Sequence, residues 1–172
     1  MDIFYRASQF FQAIFCKPDH DQLMEVLSIL PAEMAALFQR LPPADQCHSI
    51  SVFHTLKEAG EKEPDLLAAA LLHDVGKSRF HLNIFERVLI VLVESNFPQR
   101  ARRWGQGKPD GWKRCFVVAV QHPAWGADMV SSAGGNKTLV GLIREHQTPA
   151  ATPTGSHFAD LLKRLQHADG IN

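Results

Sequence analysis

The chain has 172 residues, 45% of them hydrophobic and 21% charged, an ordinary globular usage that excludes disordered and fibrous classes. Eighteen Lys and Arg balance eighteen Asp and Glu, so the chain lacks the basic surplus that marks a nucleic-acid scaffold. A single domain of this length buries most of its unfolded surface without a staple, so a metal site in it serves function before folding.

Taken from the start, Ile3, Phe4, Phe10, Phe11, Ile14 and Phe15 are interrupted by Asp2, Arg6, Gln9 and Gln12. The stretch is too short and mixed for a signal peptide or a membrane span, and reads as an amphipathic helix packed on the domain. It runs to about Cys16 and stops before Pro18. A second helix covers about Asp19 to Leu30. Pro31 suits the first position of a third, running from Ala32 to Leu41. Pro42 and Pro43 break the chain, Asp45 suits a cap, and the next helix runs to Ala59 and ends at Gly60.

Pro64 opens a helix around the apolar run from Leu66 to Leu72, with His73 and Asp74 near its end and Gly76 suited to terminate it. Asn83 to Glu94 is a further apolar helix. The stretch from Asn96 to Trp112, with Pro98, Gly105, Gly107, Pro109 and Gly111, reads as an irregular connection or lid. Lys113 to Gln121, Ala124 to Ala133, Lys137 to Glu145 and Ser156 to Ala168 complete a chain of helices. The β-branched run from Phe116 to Val120 is the main competing strand signal. The fold class is all-α.

Cys16, Cys47 and Cys115 are widely spaced and form no CxxC. They read as small buried hydrophobes in a reducing cytosol rather than a disulfide frame, which places the protein in the cytoplasm.

The strongest chemical signal is LLHDVGK, Leu71 to Lys77. A carboxylate and an imidazole side by side at the end of a buried apolar helix are costly unless something pairs them, and a divalent cation does so. On the preceding helix His48 and His54 compete for a place beside it. At 100° per residue Val52, Leu56 and Ala59 share a side with His48, while His54 lies about 120° away and faces out.

With HSISV from His48, HDVGK from His73, HPAWGADMV from His122, IREHQ around His146 and QHADG around Asp169, the sequence resembles the HD superfamily of metal-dependent phosphohydrolases. The resemblance covers about Pro42 to Asn172. It implies a helical HD domain over 42–172, preceded by a helical extension over 1–41. It also implies six metal ligands, His48, His73, Asp74, His122, His146 and Asp169, and two divalent ions, with Fe, Mn, Zn, Ni and Mg not separated by the donor types. By that resemblance His48, His73 and Asp169 hold one ion, His122 and His146 the other, and Asp74 bridges. Asp160 is the rival of Asp169, but the family's last aspartate follows the apolar part of the final helix, here Leu161, Leu162 and Leu165.

The implied activity is hydrolysis of a small phosphate ester, such as a nucleotide, by a metal-activated hydroxide. Catalytic weight then falls on Asp74 and Lys77, although Lys77 also fits a helix-end lysine facing the dipole. After His146 the chain reads QTPAATPTG, without the second histidine or the GYP signature of the HD-GYP branch, and Gln147 takes that histidine's slot. Two alternatives belong to the same resemblance: a non-catalytic HD signalling module, and an HD-type di-iron oxygenase.

The remaining features have plainer readings. Arg100, Arg102, Arg103, Lys108, Lys113 and Arg114 fit a solvated face, or a lid on which Arg102 and Arg103 meet an anionic substrate. His20, His81, His157 and His167 read as surface or satisfied histidines. Trp104, Trp112 and Trp125 read as core or rim packing.

Overall fold

A computed structural model of the chain describes residues 16–148 and 156–172. Among them the regular structure is helical throughout: α1 His20–Ile29, α2 Ala32–Gln39, α3 Pro43–Glu58, α4 Pro64–Leu72, a 3-10 turn Val75–Arg79, α5 Ile84–Asn96 and α6 Pro98–Gly105. A second 3-10 turn, Gly111–Lys113, leads into α7 Arg114–Ser132, followed by α8 Lys137–Glu145 and α9 His157–Ile171. The amphipathic helix expected before Cys16 lies outside the described residues.

Sequence cues set most of these ends. Asp19, Asn83, Asn136 and Ser156 each accept a backbone N–H of the first turn that follows, and Asn83 with Glu86 forms a full capping box. Pro43, Pro64 and Pro98 stand at helix starts, where the missing N–H is no loss. Gly60 closes α3 at φ +83°, the left-handed region that favours glycine.

One hydrophobic core runs through α1–α4 and α7–α9, with Phe38, Phe53, Leu66, Leu142 and Leu162 essentially inaccessible. α1 and α2 add Val26, Met34 and Phe38 to it, so the N-terminal helices pack into the core of the rest. α5 and α6 form a flank on α7. No residue of α5 is fully buried, and Ala101, Cys115 and Phe116 make a smaller cluster beneath the flank.

Five expectations need correction. Cys16 and Cys47 are joined in a disulfide, with Cα atoms 6.2 Å apart, and only Cys115 is a free buried thiol. The thiol-based case for a reducing compartment goes with it. Residues 113–121 and 124–133 are not two helices but one, α7, with Pro123 inside. The core packing of Val118, Ala127 and Val130 on either side outweighs proline's cost of about 3 kcal/mol.

The stretch 96–112 contains α6, whose Gly105 carbonyl accepts from Gln121 Nε2 at 2.8 Å and ties it to α7. Asp45 caps nothing: Pro42 holds the cap position, and the Asp45 side chain is buried against Arg87. Gly76 does not end α4 but sits within the 3-10 turn.

Candidate metal centre

The six side chains named from the motifs converge from five helices and the 3-10 turn. α3 supplies His48, the end of α4 His73, the residue before the 3-10 turn Asp74, α7 His122, the end of α8 His146, and α9 Asp169. They form two triads, His48 with His73 and Asp169, and Asp74 with His122 and His146; within each, the ligand atoms lie within 4.8 Å of one another. His54 and Asp160 stand outside both. His54 is partly exposed near Glu25, and Asp160 is on the surface.

Backbone carbonyls fix the histidines. Nδ1 of His73 meets Ala70 O at 2.9 Å, Nδ1 of His146 meets Ile143 O at 2.7 Å, and Nδ1 of His122 meets Val118 O at 2.9 Å. A carbonyl only accepts, so each Nδ1 carries the hydrogen and each ring, when neutral, turns its Nε2 lone pair inward. The cause is local. α4 and α8 both end at their histidine, and carbonyls in a last helical turn lack amide partners and take a side-chain donor instead.

The result is a buried set rich in acceptors. His122 Nε2 stands 3.3 Å from His146 Nε2 and 3.0 Å from Asp74 Oδ1. His73 Nε2 lies 3.5 Å from Asp169 Oδ1 and 3.6 Å from Asp74 Oδ2, too far for good hydrogen bonds, and has no hydrogen-bond partner among the described residues. A buried nitrogen left unpaired among carboxylates is expensive, and a cation at that point satisfies it. The donor set, three oriented imidazole nitrogens, His48 and two carboxylates, fits divalent ions of the zinc, iron or manganese type.

Electrostatics point the same way. Burial, reinforced by the His73 and His122 rings, pushes His146 down to about 3, so its Nε2 lone pair is free at neutral pH. Burial opposes charge on Asp74 and Asp169. The neighbouring Lys77 and His73 outweigh it at Asp74, and His48 and His73 outweigh it at Asp169, so both carboxylates are held well below their usual range. Burial also opposes a charge on His73, yet Asp74 and Asp169 raise it above the ordinary value, a pull for positive charge at that nitrogen.

Lys77 Nζ donates to Asp74 Oδ2 at 2.6 Å from the 3-10 turn, and its side chain is 28% exposed to the cleft. Burial works against its charge and the Asp74 carboxylate more than restores it, so the ammonium is held above its usual value. Arg102 and Arg103 are exposed on α6 and do not line the cavity in front of the centre. The arginine that lines it is Arg87, which sequence reasoning missed because the Glu86–Arg87 pair in the apolar run IFERVLIVLV carries no motif. Gln147, in the slot of the missing second histidine, also lines that cavity.

Two glycines set the approach of Asp74 to His122. A Cβ on Gly76 would overlap His122 O and come within 2.7 Å of Gly126 N; one on Gly126 would meet Gly76 N at 3.2 Å. The glycines of HDVGK and HPAWGA therefore face each other, and the missing Cβ atoms let the 3-10 turn pack closely on α7.

An all-helical bundle that gathers an adjacent His–Asp pair with further histidines and a terminal aspartate defines a class of helical metal-binding domains. The HD-domain family model matches residues 46–171, and the chain belongs to that family. HD domains form a superfamily of metal-dependent phosphohydrolases that bind divalent metals. No curated protein and no solved structure matches the chain. Among the described residues no helix is long and apolar enough to cross a membrane.

Proposed function

We propose that the chain hydrolyses a small phosphate ester with two divalent ions, one held by His48, His73 and Asp169 and one by His122 and His146, with Asp74 shared. The observation that carries this reading is the convergence of inward Nε2 lone pairs and two carboxylates, with His73 Nε2 left without a hydrogen-bond partner among the described residues. When bound, such ions polarise a phosphoryl oxygen and lower the pKa of a water to make a nucleophile.

The chain's own residues supply orientation and charge. The carbonyls of Ala70, Val118 and Ile143 hold the three buried rings in one tautomer, so no reorganisation is needed when an ion enters. Lys77 keeps an ammonium at the edge of the centre, where its donors not used by Asp74 are available to a phosphoryl oxygen. His48 closes the exposed side through its 2.8 Å contact with Asp169.

The test is hydrolysis of bis(4-nitrophenyl) phosphate and of 4-nitrophenyl phosphate by protein reconstituted with manganese, iron or zinc. Release of nitrophenol that is abolished by a chelator and restored by metal is the expected result. Dioxygen uptake by the iron-loaded protein with no phosphate-ester cleavage under any metal would contradict it.

A further inference from the structure

One cavity of about 310 Å³ opens in front of the centre. The buried Asp74 and His122 and the partly exposed His48 line it on the side of the centre, and α5 forms an outer wall with Arg87, Ile90, Val91 and Glu94. Among the described residues two cations, Lys77 and Arg87, face this space. Lys77 is bound to Asp74 and belongs to the centre. Arg87 does not: it is held from α3 by Asp45, with Nη1 donating to Oδ1 at 2.9 Å and Nη2 to Oδ2 at 2.7 Å.

As a tie between α3 and α5 the pair is a poor choice. Asp45 is only 4% exposed, and taking a carboxylate out of water for an ion pair gains little over an apolar contact. Apolar side chains to make such a contact are at hand in Leu82 and Ile90. What the pair gives is a guanidinium fixed in one orientation. Of its five N–H donors Asp45 takes two, one on each terminal nitrogen, and three remain. The Arg87 side chain keeps 22% exposure, and its planar fork matches a carboxylate or a phosphate. Glu94, exposed on the same wall, has its carboxyl raised by partial desolvation.

We propose that Arg87, oriented by Asp45, is a second anion subsite, taking a carboxylate or phosphate of the substrate remote from the phosphoryl group that reacts. The inference rests on the phosphohydrolase reading and narrows it: the substrate is compact and carries two anionic groups. A cavity of about 310 Å³ lies at the small end of ligand pockets and holds one such molecule. Leu82, Ile90 and Val118 line the same space and meet its apolar part.

The experiment is calorimetric binding of two probes to the metal-loaded full chain: methylphosphonate, with one anionic group, and phosphonoacetate, with two. The wild type is expected to prefer phosphonoacetate by about tenfold, the worth of one charge-assisted contact. Arg87→Met brings the ratio close to one with metal content unchanged, and Arg87→Lys keeps only part of it, because an ammonium lacks the fork. A ratio that survives in Arg87→Met, with only the melting temperature lowered, overturns the subsite and leaves a plain helix tie. If Arg87→Met does not fold, an unchanged ratio in Arg87→Lys overturns it equally. Metal-dependent methylphosphonate binding without a wild-type preference removes the subsite and leaves the phosphohydrolase reading standing. Binding of neither probe removes both.

Discussion

The two sides of the cleft are built in different ways. The inner side belongs to the main core: His73, His122 and His146 are nearly inaccessible, and the helices that carry them bury Leu72, Ala127 and Leu142 around them. The outer side is α5, which has no fully buried residue and leaves Phe85 81% and Leu92 57% exposed. Chemistry that needs fixed lone pairs sits on the part of the molecule that costs most to deform. The wall that meets the rest of a ligand sits on the part that costs least, and the Asp45–Arg87 pair reaches across to hold it.

That contrast can be broken at its strongest point first. Asp74→Ala removes a carboxylate close to both triads, and is expected to empty the centre and lower phosphate-ester turnover by about a thousandfold. Turnover and metal analysis on the same sample check it, and full activity would sink the assignment. Lys77→Met should come next, with turnover down by about a hundredfold and metal retained. A parallel loss of metal would show Lys77 to be part of the scaffold of the centre.

Stability sharpens the same contrast. Gly76→Ala forces the 3-10 turn off α7, and a loss of about 3 kcal/mol in denaturant unfolding is expected, together with weaker metal binding. Leu142→Ala, in the fully buried core, should cost about 2–5 kcal/mol. Leu92→Ser on the outer face of α5 should move stability by less than about 0.5 kcal/mol. If Leu92→Ser cost as much as Leu142→Ala, the flank would be as firmly packed as the core and the contrast would fail.

Much of this was legible in the chain. The convergence of the six side chains was readable because the resemblance orders them along the sequence, and His48 was separated from His54 by the HSISV match together with helical phase. The helix start at Pro64 followed from proline chemistry, and the starts expected at Asn83 and Lys137 lie at the observed capped ends. What failed did so where tertiary contacts overrode local signals. Pro123 reads as a break, but core on both sides carries the helix through it. Pro98 and Gly105 read as loop punctuation, whereas they are the two ends of α6.

The Cys16–Cys47 bridge depends on a spatial proximity that a separation of 31 residues does not show. The Asp45–Arg87 pair, 42 residues apart, has no motif, and Asp45 behind two prolines looks like a cap from sequence alone. The facing of Gly76 and Gly126 is likewise a fact of packing, although both glycines stand inside the motifs that carry the resemblance.

The most direct test of the central claim is the number of metal ions per chain in the purified protein, measured by elemental mass spectrometry alongside a His122→Ala, His146→Ala double variant. Two triads predict about two ions in the wild type and about one in the variant, with the fold intact. A wild type that holds no metal even after reconstitution would contradict the account.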